Sequence, residues 1–126
     1  MTDEKPLFWI GRSRDDLKEC PDEVMREIGY ALDFAQRGGK HPNAKPLKGF
    51  GGASVLEIVE DNDGDTYRAV YTVKFPLAVY VLHVFQKKSK KGMATPKRDL
   101  DLIDERLKRA ESHYQDWVGQ ARRILP

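Results

Sequence analysis

The stretch LAVYVLHVF, Leu77 to Phe85, is apolar at odd and even positions alike and is broken only by His83. A strand with one face in water alternates, whereas one that is apolar on both parities is covered on both faces. The run therefore predicts a central strand in the middle of a sheet. It falls well short of the roughly 20 apolar residues that a membrane-crossing helix needs, so no membrane contact is expected. A chain of 126 residues has room for one core, which predicts a single domain over residues 1–126.

The remaining elements follow from local pattern. Phe8-Trp9-Ile10 reads as a short strand ended by Gly11 and a charged run, Arg12 to Asp16. Pro21 at a first helical position, with Asp22 and Glu23 in the first turn, starts a helix, since proline needs no amide partner there and acids suit the positive helix end. Val24, Ile28, Ala31, Leu32 and Ala35 continue it at helical spacing until Gly38-Gly39. Lys40 to Gly52 reads as a loop. Val55 to Val59 and Tyr67 to Val73 form a predicted hairpin around EDNDGDT. From Thr95-Pro96, as cap and first turn, Leu100, Ile103, Leu107, Ala110, Tyr114, Trp117, Ala121 and Ile124 recur at three-four spacing. This seam predicts a long helix on the sheet, whose far end, with Tyr114 and Trp117, either packs within the domain or overhangs it as a candidate protein contact. The order β, α, β, β, β, α implies an α+β domain with a largely antiparallel sheet.

Charge narrows function only through its distribution. Twenty-two Lys and Arg against 20 Asp and Glu leave +2, too little to argue for nucleic acid. The cations cluster, however: Lys87, Lys88, Lys90 and Lys91 follow the apolar run directly. Pattern alone makes these a solvated turn. The single Cys20 excludes an internal disulfide, and the N-terminus lacks the layout of an export signal, so a reducing cytoplasm is expected. DNDGD lacks the spacing and terminal Glu of a calcium loop, and His41, His83 and His113 show no ligand spacing with Cys20. No metal and no cofactor are expected.

Taken together, AKPLKGFGG, YRAVY, VYVLHVFQKKSKKG and TPKRDLDLIDERLKRA, with the RGGKHPNAKPLKG loop in the same order, carry a resemblance. From about Phe8 to Glu111 the chain resembles the phage-derived, HigB-like branch of the RelE toxin superfamily. The resemblance implies a small domain with a curved sheet, an N-terminal helix or helix pair and a long C-terminal helix. It also implies the toxin of a type II toxin-antitoxin system, a ribosome-dependent mRNA endoribonuclease, neutralised by an antitoxin of helix-turn-helix type. Val59 stands where relatives carry a basic residue.

Cleavage of RNA by its own 2′-hydroxyl needs a proton acceptor, cations around the crowded phosphate and a proton donor for the leaving oxygen. Arg68 is the candidate phosphate clamp, because guanidinium stays charged and grips two oxygens at once; by pattern alone it would pair with an acid, and the resemblance reverses that. Lys87 and Lys88 leave the strand on opposite parities, so at most one shares the face of Arg68. Crowding lowers the pKa of neighbouring lysines, which makes Lys87 and Lys88 candidates for proton transfer. Glu57 has two readings, acid-base catalyst or ion-pair partner of Arg68. Lys45, Lys48, Lys90 and Lys91 are candidate RNA-backbone contacts. Tyr71 is a core aromatic by pattern and a candidate base-stacking ring. His83 has the pKa for proton transfer, but it shares a parity with Val79, Val81 and Phe85 and reads first as a satisfied core histidine. Against the enzyme stands a second class, a binding module for RNA or an antitoxin with weak or lost cleavage.

Overall fold

The computed structural model describes residues 4–87 and 95–124. In chain order the elements are β1 (Leu7–Trp9), α1 (Ser13–Lys18), α2 (Asp22–Gln36), β2 (Lys45–Pro46), β3 (Val55–Asn62), β4 (Asp65–Thr72), β5 (Val79–Lys87) and α3 (Lys97–Ile124). The five strands form one sheet in the order β1-β5-β4-β3-β2. β1 runs parallel to β5, and the other pairs are antiparallel. This is the expected α+β domain with a largely antiparallel sheet.

The doubly apolar β5 is explained by a layer on each face. On one face α2 packs Val24, Ile28, Leu32 and Ala35 against Ile58, Ala69, Tyr71, Val79 and Val81. On the other, Ile103, Ala110 and Tyr114 of α3 meet Val55, Val70, Tyr80 and Leu82. Ile28, Ile58 and Ile103 are fully buried, each contributing about 1.5–3 kcal/mol relative to an exposed side chain. Tyr114 and Trp117 of α3 pack inward: Tyr114 stacks on Phe75 at 4.7 Å, and Trp117 meets Phe8 edge-on at 5.4 Å, while Gln120, Ala121 and Arg122 beyond them are exposed. Of the two readings of this seam, packing within the domain is the one these two aromatics follow.

The hairpin turn is the predicted one. Asn62 pairs with Asp65, and the two residues between them, Asp63 and Gly64, have φ of 51° and 87°, as a type I′ turn requires. Two elements went unread in the sequence. Within the charged run that ends β1, Arg12 caps α1 and Ser13 to Asp16 are its first four residues; at six residues it is too short for periodicity to declare itself, and it is the first of the helix pair that the resemblance allows. β2 is a two-residue strand within the expected loop. The start of α2 shifts by one residue, Pro21 being the cap whose carbonyl accepts from Met25 N at 2.9 Å.

One irregularity decides where the end of β5 points its side chains. Val70 pairs with His83 but Tyr71 pairs with Val81, so Leu82 is an extra residue in β5, a β-bulge. Before it, Val79 and Val81 face α2. After it the parity is inverted, and Phe85 lies with Tyr80 and Leu82 on the α3 side. The expected shared parity of His83 with Val79 and Val81 is therefore wrong: alternation holds only while the ladder is regular.

Candidate functional site

Strand alternation and the bulge bring charged side chains to one patch on the α3 side of the sheet. Glu57 lies two residues from Val55 on β3, and Arg68 two from Val70 on β4, both anchors of the α3-side core. The register sets Val59 opposite Arg68, Arg68 opposite Phe85, Thr66 opposite Lys87 and Lys45 opposite Glu57. Without the extra Leu82, Lys87 would point to the other face.

The patch is tightly tied. Arg68 Nη1 donates to Glu57 Oε2 at 3.1 Å and lies 3.1 Å from Thr95 Oγ1, while Glu57 Oε1 lies 4.0 Å from Lys45 Nζ. Glu57, Arg68, Lys87 and Thr95 are all under a tenth exposed. Three cations thus gather around Glu57. Burial, and then the charge of Arg68, push the Lys87 ammonium below the usual lysine range, opposed by Glu57 and Asp99. The direction of that shift is the one a proton-transferring amine requires.

A second group locks the far side. His83 Nε2 lies 2.9 Å from Asp99 Oδ1, and its Nδ1 lies 3.4 Å from Arg106 Nη1, which also donates to Leu82 O at 2.8 Å. Guanidinium only donates, so Nδ1 accepts and the proton sits on Nε2, donating to Asp99. Burial first, and then Arg106, hold the His83 pKa below its ordinary value against the Asp99 hydrogen bond. Its ring stacks on Phe85 at 4.4 Å. His83 is the satisfied, buried histidine expected of it, although its partners are polar and come from α3. Arg106 further requires Gly11, at φ 60°: a Cβ there would lie 2.8 Å from Nη2.

Among the other expected contacts, Lys45 is in the patch, and Lys48 is exposed on the loop after β2. Lys88, Lys90 and Lys91 lie outside the described residues. Tyr71 is corrected: it is fully buried on the α2 side, and burial pushes its phenol up to about 12, so its ring presents no face to a base. A cavity of about 330 Å³ lies along β5, lined by Asp16, Glu19 and Cys20 together with Tyr67, His83 and Phe85, and neither Arg68 nor Lys87 reaches it. Sequence reading missed Thr95 as a partner of Arg68, because Thr-Pro before a helix signals a cap. It also missed Asp99 and Arg106, whose helical spacing shows only that they are polar.

The patch combines a guanidinium, two amines and a carboxylate on a rigid sheet, which suits a phosphodiester. Among the described residues no helix is long and apolar enough to cross a membrane, and no cluster of His, Cys, Asp and Glu has the arrangement of a metal site. No curated protein matches the chain closely enough to count as a relative. Residues 15–108, from within α1 into α3, match the family described as phage-derived protein Gp49-like (DUF891). With that match over most of its length, the chain belongs to the Gp49-like family, a family of toxin-antitoxin-type toxins within the RelE/ParE-like superfamily, and an antitoxin is its implied partner.

Proposed function

We propose that this toxin is a ribosome-dependent mRNA endoribonuclease of the HigB-like branch. The observation that carries the reading is the convergence of Arg68, Lys87 and Lys45 around Glu57 on one face of the sheet. The 2′-hydroxyl of the mRNA loses its proton and attacks the adjacent phosphorus, the 5′-oxygen leaves with a proton, and a 2′,3′-cyclic phosphate and a 5′-hydroxyl result. Arg68 neutralises the non-bridging oxygens as charge builds on them. Lys87, with its depressed pKa, transfers the proton. Glu57 holds Arg68 at 3.1 Å, which favours positioning over acid-base work. Lys45 and Lys48 follow the RNA backbone, and the partners are mRNA, the ribosome and an antitoxin of helix-turn-helix type.

The test is induced expression with mapping of mRNA ends. The intact chain should generate new ends within translated messages, and Arg68→Ala or Lys87→Ala should reduce them by about 10²–10³-fold, the usual cost of losing one transition-state contact. Antitoxin binding should persist in both variants, which separates lost chemistry from lost folding. Unchanged cleavage in both would defeat the enzyme reading.

One observation favours a second reading. Val59 sits directly opposite Arg68 and offers methyl groups where another cation would reach the same phosphate. On that reading the domain is a module for binding RNA or an antitoxin, with weak cleavage. Val59→Arg should then raise cleavage well above that of the intact chain, whereas an already efficient enzyme should gain little.

A further inference from the structure

The face of the molecule opposite the Arg68 patch carries an unassigned surface. Glu23, Glu27, Tyr30 and Phe34 of α2 occupy about 60° of the helix circumference at about 100° per residue, beside the stripe that α2 buries. Tyr30 is 52% exposed and Phe34 45%. Two of the three large exposed apolar side chains among the described residues are therefore neighbours on one helix. Tyrosine is among the residue types enriched as interface anchors.

The stripe continues into acid. Glu23, Glu27 and Glu60 line a cavity of about 270 Å³ between α2 and the end of β3, with Arg26 the basic residue on its wall among those described; Asp61 borders it too, but its carboxylate accepts from Thr66 Oγ1 at 2.9 Å, on the side of the sheet that carries Arg68. Phe34 meets the His41 ring at 5.7 Å, and His41 Nε2 lies 3.3 Å from Glu27 Oε2, so ring and carboxylate belong to one continuous surface. Asn62 donates to Glu23 at 3.1 Å. Glu60 Oε1 is buried with no hydrogen-bond partner among the described residues. Burial, then the charge of Glu27, raise the Glu60 pKa, with Asp61 adding to the effect and His41 opposing it. Acid thus outweighs base on this wall, although the chain as a whole is positive. Phosphate backbones and anionic lipid would be repelled, and the cationic patch that suits RNA lies across the sheet.

We propose that Tyr30, Phe34 and the Glu23–Glu27–Glu60 cavity form the docking surface for the antitoxin, which engages it with a basic segment: an arginine or lysine enters the cavity and an apolar side chain covers the two rings. The proposal rests on the proposed function only in placing the RNA site on the other face. Inhibition then leaves the Arg68 patch uncovered and acts by making the toxin too bulky to reach its message.

The test uses the full chain and the purified antitoxin that neutralises it, with affinity measured by titration calorimetry. Y30S/F34S should weaken binding at least 30-fold. E27Q/E60Q, which keeps shape and removes charge, should weaken it at least 10-fold and flatten its salt dependence. L77S, at the other exposed apolar side chain, and R68A should bind like the intact chain. Binding that survives both double variants overturns the proposal, as does loss of binding in R68A alone. If Y30S/F34S instead abolishes self-association seen by sedimentation, or ribosome co-sedimentation, while the antitoxin still binds, the occupant is a second copy or the ribosome and the proposal is wrong. None of these readouts requires cleavage, so failure here is distinct from failure of the nuclease reading.

Discussion

Replacing Glu57 by Leu removes the carboxylate that Arg68 grips and leaves Arg68, Lys87 and Lys45 facing one another across the patch. At 3.1 Å and an effective dielectric constant of about 20, the Glu57–Arg68 pair attracts by about 5 kcal/mol. Both side chains are under a tenth exposed, so little of this is lost to solvent or salt. Truncating one member of such a pair costs about 3–5 kcal/mol, a large share of the roughly 5–15 kcal/mol that keeps a domain folded. With an unfolding entropy of about 2.1 cal/mol/K per residue over 126 residues, the melting temperature should drop by about 10–20 °C. Arg68→Leu should cost a comparable amount, with Glu57 keeping Lys45 at 4.0 Å. The double Leu variant should recover most of the loss, since two apolar side chains strand neither charge of the pair. Urea unfolding of the four proteins at constant slope measures all three numbers. A cost below about 1 kcal/mol for Glu57→Leu, or strict additivity in the double variant, would refute the claim that the pair is closed off from water.

Other contacts have measurable consequences too. Because the folded His83 pKa lies below 6.5, the unfolded chain binds more protons between that folded value and 6.5. Stability should therefore fall as pH drops through this window and level off beneath it; Asp99, Arg106, Asp16 and the Phe85 ring are the groups around it, and His83→Gln should remove the dependence in denaturant titrations. Gly11→Ala should destabilise by about 1–2 kcal/mol from its left-handed backbone alone and by more through displacing Arg106; an Arg106→Ala background should erase the second part. Burial holds Tyr71 and Tyr80 up to about 12, so ultraviolet titration should show at least these two of the five tyrosines still protonated at pH 11. If RNA lies on the cationic patch, ribosome co-sedimentation should weaken steeply with salt, the logarithmic slope shrinking by about 0.7 for each phosphate-contacting lysine removed.

Local chemistry made much of the fold legible in the sequence. The spacing of Val24, Ile28, Ala31, Leu32 and Ala35 needs only the helix period to predict a buried stripe, and these are the residues α2 buries. Asp63-Gly64 announces a type I′ turn because few other pairs tolerate two positive φ values. Arg68 and Glu57 were also within reach, since β3 and β4 are regular and alternation carries their directions intact. Tyr71 is misplaced as a stacking ring because alternation says that a residue faces inward or outward but not which covering helix awaits it. Thr95 reads as a cap because the partner it meets lies 27 residues away in sequence.

From the order of its residues alone, this chain determined an α+β domain, a doubly covered β5, a tight hairpin and two amphipathic helices, because each depends on a period or turn conformation spanning a few neighbouring residues. Only the tertiary structure decided that Lys87 joins Arg68 and Glu57. The extra residue at Leu82 has no local signature: its carbonyl is bound by Arg106 from α3 at 2.8 Å, and the preceding Val81 carbonyl accepts from Ile10 N and Ser13 Oγ. A bulge held from two distant stretches, residues 10–13 and Arg106 of α3, inverts a strand, and no short window of sequence contains both.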